Sequence, residues 1–358
     1  MKDLKRVLIM AGGTGGHVFP GLAVARYLRE NGVEVHWLGT QQGLEAKVVP
    51  QAEIPLHLIS IGGIRGKNLK TLLLAPFRII KATLQALGMM SRLKPDLVIG
   101  MGGFVSGPGG VASWLLRCPL VIHEQNAKAG FTNQCLKYLS KIVLTGFPNV
   151  FASRIQAVAV GNPVRAEITN LVPPRERFKT RKGKMRLLVF GGSLGAQAIN
   201  AILPSIMKKL PDAERPEIYH QSGEKLYEET VQAYRQAGVE AKILPFISDM
   251  HQAYDWADLV LCRAGALTIA ELCAAGLGSI LIPYPFAVDD HQTVNAQYLV
   301  QQGAAYLIQQ RDLTEETLLK LLKELQQAPE KRLSMAEAAY ELRKVKVPEE
   351  IYQLCLAI

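Results

Sequence analysis

A glycine-rich turn that ends in histidine is the segment of this sequence most suited to chemistry. The motif GGTGGH, at residues 12–17, follows an apolar run at 6–10 and precedes a helical pattern. Glycines let backbone N–H groups approach a ligand, and a following helix directs its positive end toward the loop. Because imidazole titrates near neutral pH, His17 is a candidate for acid–base catalysis or for ligand binding.

The alternative is that residues 12–17 form only a tight strand–helix turn with a structural histidine. The motif does not complete a dinucleotide fingerprint, since Val18 stands in place of the third glycine, and it does not complete a Walker motif.

Two further segments in the first half share this character. GMGGFVSGP, at residues 100–108, follows the apolar run 96–99, and HEQN, at residues 123–126, ends the run 119–122. Ligands of parallel sheets bind beyond the carboxyl ends of the strands. We therefore expect the three loops to converge on one crevice.

The second half of the chain repeats the pattern of a glycine loop after an apolar run. GGSLG follows residues 186–190, and CRAGALTIAE, at 262–271, begins at the end of the run 258–262. Its small residues leave N–H groups free at a helix start, which suits a diphosphate. Glu271 lies about one and a half turns into this helix, where it would reach a ribose diol or stand as a surface glutamate. The polar cluster DDHQTVN, at 289–295, would cap a helix or contact sugar hydroxyls.

Several kinds of site are not expected from this sequence. It has no Asp-x-Asp motif, no group of His, Cys and carboxylate residues with metal-ligand spacing, and no Gly-x-Ser-x-Gly elbow. Its five cysteines include no Cys-x-x-Cys pair, which favours reduced, buried thiols over a zinc site. We therefore expect no metal and no cofactor, and we expect loop N–H groups and helix ends to stabilise any leaving diphosphate.

A basic, apolar stretch at residues 64–94 predicts contact with an anionic membrane surface. The chain has a formal charge of +10, and residues 54–95 contain seven basic residues and no Asp or Glu. One helical face collects the apolar side chains Leu69, Leu72, Leu73, Phe77, Ile80, Leu84 and Leu87, flanked by Lys67, Lys70, Arg78 and Lys81. A core-facing helix with solvated lysines fits the same pattern. Pro76 is expected to kink or split the helix. No recognised RNA- or DNA-binding module is present, so nucleic acid is not an expected partner.

Alternation of short apolar runs with longer helical patterns predicts an α/β fold with parallel sheets. The predicted strands are 6–10, 33–38, 96–99, 119–122, 141–145, 157–160, 186–190, 217–221, 240–244, 258–262, 278–282 and 304–308. The predicted helices include 21–30, 196–209, 224–237, 265–275 and 292–302. Each half begins with a strand, a Gly-Gly loop and a helix, so two domains of like architecture are expected, with a break near 161–185. Neither a signal peptide nor a membrane span is expected.

In these ordered motifs the sequence resembles the MurG family of N-acetylglucosaminyltransferases. The matching segments are 12–20, 100–108, 123–126, 161–165, 191–197, 246–250, 263–271 and 290–296. The resemblance implies a GT-B glycosyltransferase fold, in which two Rossmann-like domains face a crevice. It implies an acceptor and membrane-associated domain at 1–163, a UDP-sugar domain at 164–339, and a C-terminal helix at 340–358 that packs back on the first.

The resemblance also implies an activity and a place of action. N-acetylglucosamine would pass, with inversion, from UDP-N-acetylglucosamine to the muramyl sugar of undecaprenyl-diphosphate-linked N-acetylmuramyl-pentapeptide, which converts lipid I to lipid II. The enzyme would attach peripherally to the cytoplasmic face of the inner membrane.

Site residues follow from the resemblance position by position. On the acceptor side they are Thr14, Gly15, Gly16 and Asn126. On the donor side they are Arg165 and Ser193, then Ile247 at the uracil, then Ala266, Leu267, Thr268, Ile269, Ala270 and Glu271 at the diphosphate and ribose, and Gln292 at the sugar. Two positions depart from the family pattern. Phe104 stands where many members have tyrosine, and His291 stands where some have glutamine, so either His291 or Gln292 makes the sugar contact.

Inversion is a single displacement, in which a general base takes the proton of the attacking hydroxyl. His17 is the first choice for this base and Glu124 the second. Other functions remain open at this stage. One is another GT-B enzyme, such as a UDP-N-acetylglucosamine 2-epimerase or a glycosyltransferase with a soluble acceptor. The other is a non-catalytic nucleotide-binding protein.

Overall fold

The computed structural model describes residues 4–62, 74–192 and 194–358 of the chain. These residues form two compact units. The described residues up to Val164, together with Lys346–Ile358, make the first unit, and those within Arg165–Val345 make the second. In both units parallel strands alternate with helices.

The first unit is built around a sheet whose described strands are all parallel. Along the chain its elements are β1 (Arg6–Met10), α1 (Gly15–Glu30), β2 (Glu34–Gly39), α2 (Glu45–Gln51), β3 (Leu56–Leu58), α3 (Ala75–Leu93), β4 (Leu97–Gly100), α4 (Ser106–Leu115), β5 (Leu120–Glu124), α5 (Phe131–Leu136), β6 (Ile142–Thr145) and β7 (Ala157–Ala159). The order across the sheet is β3-β2-β1-β4-β5-β6-β7. β4 and β5 are buried along their whole length, as expected for parallel strands that are covered on both faces.

The second unit repeats this architecture. Its elements are α6 (Ala166–Thr169), α7 (Pro174–Lys179), β8 (Arg186–Phe190), α8 (Gln197–Lys208), β9 (Glu217–Gln221), α9 (Tyr227–Ala237), β10 (Lys242–Leu244), α10 (Met250–Trp256), β11 (Leu259–Cys262), α11 (Ala266–Ala275), β12 (Ser279–Leu281), α12 (His291–Val300), β13 (Ala305–Leu307), α13 (Glu315–Gln327) and α14 (Pro329–Glu341). The strand order is β10-β9-β8-β11-β12-β13, again parallel.

The C-terminal helix α15 (Val347–Leu356) belongs to the first unit. Val347, Ile351 and Cys355 are buried in the same apolar core as Val7 and Ile9 of β1. The end of the chain therefore helps to cover the sheet that its beginning forms.

Each sheet reverses its direction of winding at one pair of neighbouring strands. β1 lies beside β4 with Met10 opposite Gly100, and β8 lies beside β11 with Phe190 opposite Cys262. Because the strands are parallel, the loops that follow each pair open at the same edge of the sheet. The GGTGGH loop therefore lies next to the GMGGF loop, and the GGSLG loop lies next to the segment that begins α11.

The predicted α/β fold class is confirmed, and the structure corrects some element boundaries. β3 was not predicted, because it is a three-residue run with two half-buried side chains and an exposed Leu58. α1 begins at Gly15 rather than at residue 21. Pro76 was expected to kink or split a helix; no kink is seen at Pro76, and residues 63–73, on which a split depends, lie outside the described residues. α3 begins at Ala75, and Pro76 occupies its first turn, where its missing N–H needs no intrahelical acceptor.

α3 carries part of the predicted amphipathic pattern, and three of the large apolar side chains in that pattern face outward. The relative exposures are 71% for Phe77, 57% for Ile80 and 62% for Leu84. The buried residues of the helix are Ala75, Ala82, Ala86 and Met90, and Leu87 of the predicted face packs on the core while partly buried. The core-facing alternative is therefore wrong for the three large residues. Leu69, Leu72, Leu73, Lys67 and Lys70 lie outside the described residues. Across the described ranges, no helix is both long enough and apolar enough to cross a bilayer.

Candidate active site

Glu45 holds the first glycine loop in place. The N–H of Gly13 donates to Glu45 Oε2 at 3.0 Å, and the other carboxylate oxygen accepts from the N–H and hydroxyl of Thr40 at 2.9 and 2.7 Å. Glu45 is fully buried. Cβ atoms at Gly12 or Gly39 would come within 2.8 Å of Glu45 atoms, so glycine is needed where the chain wraps around this carboxylate. Sequence reasoning missed Glu45, because its partner in the loop lies 32 residues away.

The start of α1 presents backbone N–H groups beside this loop. Thr14 is exposed and occupies the N-cap position in extended conformation, and its carbonyl accepts from the N–H groups of His17 and Val18. Gly15 and Gly16 form the first turn, where N–H groups have no intrahelical acceptor. The arrangement suits an anionic or strongly polar ligand group.

His17 is joined to the HEQN motif through a chain of hydrogen bonds. Its Nδ1 lies 2.9 Å from Gln125 Oε1, and Gln125 Nε2 lies 3.1 Å from Nδ1 of His123. The Nε2 of His123 in turn lies 2.8 Å from the carbonyl oxygen of Gly161. Burial lowers the pKa of His123 to about 4, so this histidine is neutral near pH 7. The structure thus brings His17 and the HEQN motif together.

Gly102 makes room for the imidazole of His17. It adopts a φ of 97°, and a Cβ atom there would lie 2.7 Å from His17 Nδ1. The buried Ser106 fixes this loop, since its hydroxyl accepts from the Gly102 N–H at 3.2 Å and donates to the Gly102 carbonyl at 2.9 Å. The ring of Phe104 lies against the backbone of Gly13. Phe104 therefore acts here by packing.

Glu124 is directed toward its own turn. Its Oε1 accepts from the N–H and the side-chain amide of Asn126 at 3.0 and 3.2 Å. Its Oε2 accepts from the Gly130 N–H at 3.1 Å and from Asn133 Nδ2 at 2.9 Å. Glu124 is buried, and four hydrogen bonds engage its carboxylate. The geometry gives it a structural role in closing the turn after β5 and in positioning Asn126.

In the second unit, Gln221 connects the glycine loop to the segment after β10. Its Nε2 donates to the Gly192 carbonyl at 2.9 Å, and its Oε1 accepts from the Ile247 N–H at 2.8 Å. Gly195 has a φ of 76°, and a Cβ atom there would overlap the carbonyl oxygen of Ser222. Ser193 lies outside the described residues. The N–H of Ile247 is used in this bond, so the carbonyl is the backbone group of this residue that could meet a ligand.

Glu271 and Arg165 are brought together beside α11. Arg165 donates from a guanidinium nitrogen to Glu271 Oε1 at 3.4 Å, and the Tyr254 hydroxyl donates to Oε2 at 2.9 Å. The Glu271 side chain is 19% exposed and that of Arg165 is 49% exposed. Burial raises the pKa of Glu271, while Arg165 and Tyr254 act in the opposite direction. Sequence reasoning did not find Tyr254, a fully buried residue on a different helix.

The helix start at Ala266 supplies mainly backbone. Gly265 is its N-cap in extended conformation, and the first acidic residue comes only at Glu271. Ile269 is buried, Ala266 is nearly so, and Leu267, Thr268 and Ala270 are half-buried. The N–H groups of this segment could therefore meet an anionic ligand, and the diphosphate contact stays a prediction.

Gln292 fixes the loop in front of this helix. Its Oε1 accepts from the N–H groups of Ala264 and Tyr284 at 3.2 and 2.9 Å. The buried Asn295 donates to the Ala264 carbonyl at 3.2 Å. His291 is the first residue of α12 and is half-buried. Both hydrogen bonds of the loop use the side-chain oxygen of Gln292. Its amide nitrogen is therefore the side-chain group that could donate to a ligand.

Comparison with known proteins agrees with this geometry. The N-terminal domain of glycosyltransferase family 28 matches residues 7–145, and the C-terminal domain of that family matches residues 186–351. A Marinobacter nauticus protein named UDP-N-acetylglucosamine–N-acetylmuramyl-(pentapeptide) pyrophosphoryl-undecaprenol N-acetylglucosamine transferase is 53% identical over 98% of this chain and 97% of its own length. A protein of the same name from Nitrosococcus oceani is 51% identical, with coverage of 99% and 98%.

Comparison with solved structures also indicates a glycosyltransferase related to MurG. A crystal structure of MurG from Acinetobacter baumannii has a TM-score of 0.87 at 40% identity and covers 99% of this chain and 100% of that one. A UDP-GlcNAc 2-epimerase from Neisseria meningitidis has a TM-score of 0.66 at 12% identity, which is a likeness of fold alone. Two Rossmann-like units with family 28 domains define a GT-B glycosyltransferase. The chain belongs to the MurG family within glycosyltransferase family 28.

Proposed function

We propose that this chain transfers N-acetylglucosamine from UDP-N-acetylglucosamine to the muramyl sugar of undecaprenyl-diphosphate-linked N-acetylmuramyl-pentapeptide, with inversion at the anomeric carbon. The observation that carries the proposal is that about half of all positions, over the whole chain, are identical to proteins with this transferase name. The 2-epimerase alternative rests on likeness of fold alone.

On this proposal the second unit binds the donor. The paired Glu271 and Arg165 would meet the ribose hydroxyls and the nucleotide phosphates, and the N–H groups from Ala266 onward would face the diphosphate. The carbonyl of Ile247 would face the uracil, and the amide nitrogen of Gln292 or the side chain of His291 would meet the sugar. Ser193 is proposed as a donor contact from the family pattern.

The first unit would bind the acceptor through Thr14, Gly15, Gly16 and Asn126 and would supply the base. We assign that role to His17, because its imidazole stands at the helix start while the Glu124 carboxylate is engaged in four hydrogen bonds. The acceptor oxygen bonds to the anomeric carbon as the bond from that carbon to the diphosphate breaks. The hydroxyl proton passes to His17, and UDP leaves as an anion.

Replacement of Glu271 tests the donor assignment. Glu271→Ala should weaken UDP binding by about 1.5–3 kcal/mol, or roughly 10- to 150-fold in Kd, because a charge-assisted hydrogen-bond pair is lost. Isothermal titration calorimetry measures this, with the exposed Glu240→Ala as a control that should leave Kd unchanged. Glu271→Gln keeps an oxygen that accepts from the Tyr254 hydroxyl, so it controls for a loss of UDP binding that comes only from destabilising the fold. Wild-type UDP affinity in both folded Glu271 variants would disprove the ribose contact.

The proposed reaction and its base are tested by one transfer assay across pH. The wild-type protein should join radiolabelled N-acetylglucosamine to the lipid-linked muramyl acceptor, with a rate that falls in acid as the base becomes protonated. His17→Ala should lower turnover by roughly 100- to 10,000-fold and remove this acidic limb, with UDP affinity little changed. The control His251→Ala alters a half-buried histidine of the second unit and should behave as wild type.

The outcomes of this assay separate the function from the base. Conversion of the UDP-sugar without acceptor would point to an epimerase and overturn the transferase proposal. Transfer that keeps its acidic limb in His17→Ala would remove His17 from the role of base. The role would then pass to Glu124 if Glu124→Gln removed the limb instead.

We also propose that the first unit attaches peripherally to an anionic membrane, at the cytoplasmic face of the inner membrane as the family resemblance implies. α3 combines exposed Phe77, Ile80 and Leu84 with the exposed basic residues Arg78 and Lys81. This combination suits the interface between headgroups and acyl chains.

The neighbouring helix extends this surface. α4 packs against α3, and at its end Trp114 and Leu115 are 54% and 51% exposed. Tryptophan favours the headgroup level of a bilayer. Two adjacent helices of the unit, α3 and α4, therefore expose apolar side chains to solvent, and α3 also exposes Arg78 and Lys81.

Charge reversal on α3 tests the membrane proposal. Arg78→Glu with Lys81→Glu should reduce partitioning onto phosphatidylglycerol vesicles by about 2 kcal/mol or more, roughly 30-fold, since each basic group near the surface contributes about 1 kcal/mol. Co-sedimentation at low and moderate salt is the measurement, because salt should weaken wild-type attachment as well. The matched control reverses Lys320 and Lys323, exposed residues of α13, and should sediment as wild type. Equal sedimentation of the α3 variant would place attachment elsewhere.

A further inference from the structure

We infer that Gln125 and His123 fix the tautomer of His17, so that Nδ1 carries the hydrogen and the lone pair of Nε2 is presented to the acceptor hydroxyl. The inference rests on the proposed role of His17 as the base. Gln125 and His123 are thus positioning residues, which act on the reaction only through His17.

The assignment begins at the carbonyl oxygen of Gly161, which can only accept a hydrogen bond. The Nε2 of His123, 2.8 Å away, must therefore carry a hydrogen. His123 is fully buried and neutral near pH 7, so its Nδ1 has a lone pair and accepts. Only the amide nitrogen of Gln125 can donate to it, which accounts for the 3.1 Å contact between Gln125 Nε2 and His123 Nδ1.

The amide of Gln125 then has a single orientation. Its nitrogen also lies 3.2 Å from the His123 carbonyl oxygen, which again requires a donor. Gln125 Oε1 consequently points to His17 Nδ1 at 2.9 Å, and because an amide oxygen only accepts, Nδ1 of His17 carries the hydrogen. Gln125 is 1% exposed, and the Asn162 side chain donates to its backbone carbonyl at 2.9 Å, so its backbone is held while the three contacts above hold its amide.

This tautomer is the one that a base acting through Nε2 needs. Neutral histidine in water favours hydrogen on Nε2, where it would block proton uptake from the acceptor. Among the described residues, none is hydrogen-bonded to Nε2 of His17. The bond from Nδ1–H to Gln125 is kept whether or not Nε2 is protonated, so the ring need not move during the reaction. The logic matches that of a carboxylate behind a catalytic histidine, with a neutral amide in place of the carboxylate.

Nitrogen NMR of the full-length protein with ¹⁵N-labelled histidine tests the tautomer directly. The chain has seven histidines, and His17→Gln identifies the His17 signals by their loss. In the wild-type protein with a neutral His17 ring, Nδ1 should give the signal of a protonated ring nitrogen and Nε2 that of an unprotonated one. In Gln125→Met the population should shift toward hydrogen on Nε2.

His220 supplies an internal control in the same spectrum. Its Nε2 lies 3.1 Å from Asn200 Oδ1 and its Nδ1 lies 3.0 Å from the Tyr234 hydroxyl, in a buried cluster of the second unit. Its signals should not change in Gln125→Met. A change confined to His17 and His123 separates loss of orientation from general unfolding.

Turnover gives a second readout. Gln125→Met should lower kcat by roughly 10- to 100-fold with the donor KM little changed, because the base is present in the wrong tautomer. Gln125→Glu keeps an acceptor oxygen toward His17 Nδ1 and should restore the tautomer and much of the turnover.

Two results would overturn the inference. One is wild-type His17 with its hydrogen on Nε2, a finding that needs no variant. The other is an unchanged His17 tautomer in Gln125→Met. Failure of the proposed function looks different: the wild-type tautomer would be as inferred, yet His17→Ala would keep wild-type turnover and its acidic limb.

Discussion

Backbone N–H groups at a helix start are available to a ligand only if something other than the ligand holds the loop in front of them. In this protein side chains from other elements do so. Glu45 accepts from Gly13 in the first unit, and in the second unit Gln221 bridges Gly192 and Ile247 while Gln292 accepts from Ala264. Glu45 and Gln292 supply acceptor oxygens that the loops lack, and Gln221 donates from its amide nitrogen to the Gly192 carbonyl and accepts at its oxygen from the Ile247 N–H. The loops are therefore formed before any substrate binds, which is the condition for electrostatic stabilisation of a leaving diphosphate without reorganisation.

This constraint also accounts for the glycines. The carboxylate of Glu45 is fully buried, and an unpaired buried charge would cost several kcal/mol, so the chain must wrap closely enough for donors to reach both oxygens. Close wrapping leaves no space for Cβ atoms at Gly12 and Gly39. In the second unit the backbone at Gly195 lies so close to the backbone at Ser222 that a Cβ atom at Gly195 would have no space either. These glycines thus allow neighbouring segments of the chain to pack closely, in addition to allowing a ligand to approach the backbone.

The fold was predictable from the sequence because continuous apolar runs, such as those of β1 and β8, allow no exposed face. The loops were predictable as candidate sites because they follow such strands. The residues that hold the loops were not, since Glu45 and Gln125 act across separations of 32 and 108 residues that no local pattern records. The orientation of α3 was ambiguous for a different reason. Its buried residues are alanines and one methionine, so Phe77, Ile80 and Leu84, which look like part of a core face, are exposed, whereas Leu87 packs on the core.

The central claim is that buried side chains preform the ligand loops, and amide hydrogen exchange at Gly13 in the ligand-free protein tests it most directly. Glu45→Gln keeps the shape of the side chain, but either orientation of the new amide places its NH₂ group against a backbone N–H, of Gly13 or of Thr40. The account predicts slow exchange at Gly13 in the wild-type protein and in the exposed control Glu30→Gln. It predicts exchange faster by roughly 10-fold or more at Gly13 or at Thr40 in Glu45→Gln, since an unsatisfied buried donor costs about 1–3 kcal/mol. Exchange at the rate of an unprotected loop amide at Gly13 in the wild-type protein, or unchanged rates at both Gly13 and Thr40 in Glu45→Gln, would contradict the claim.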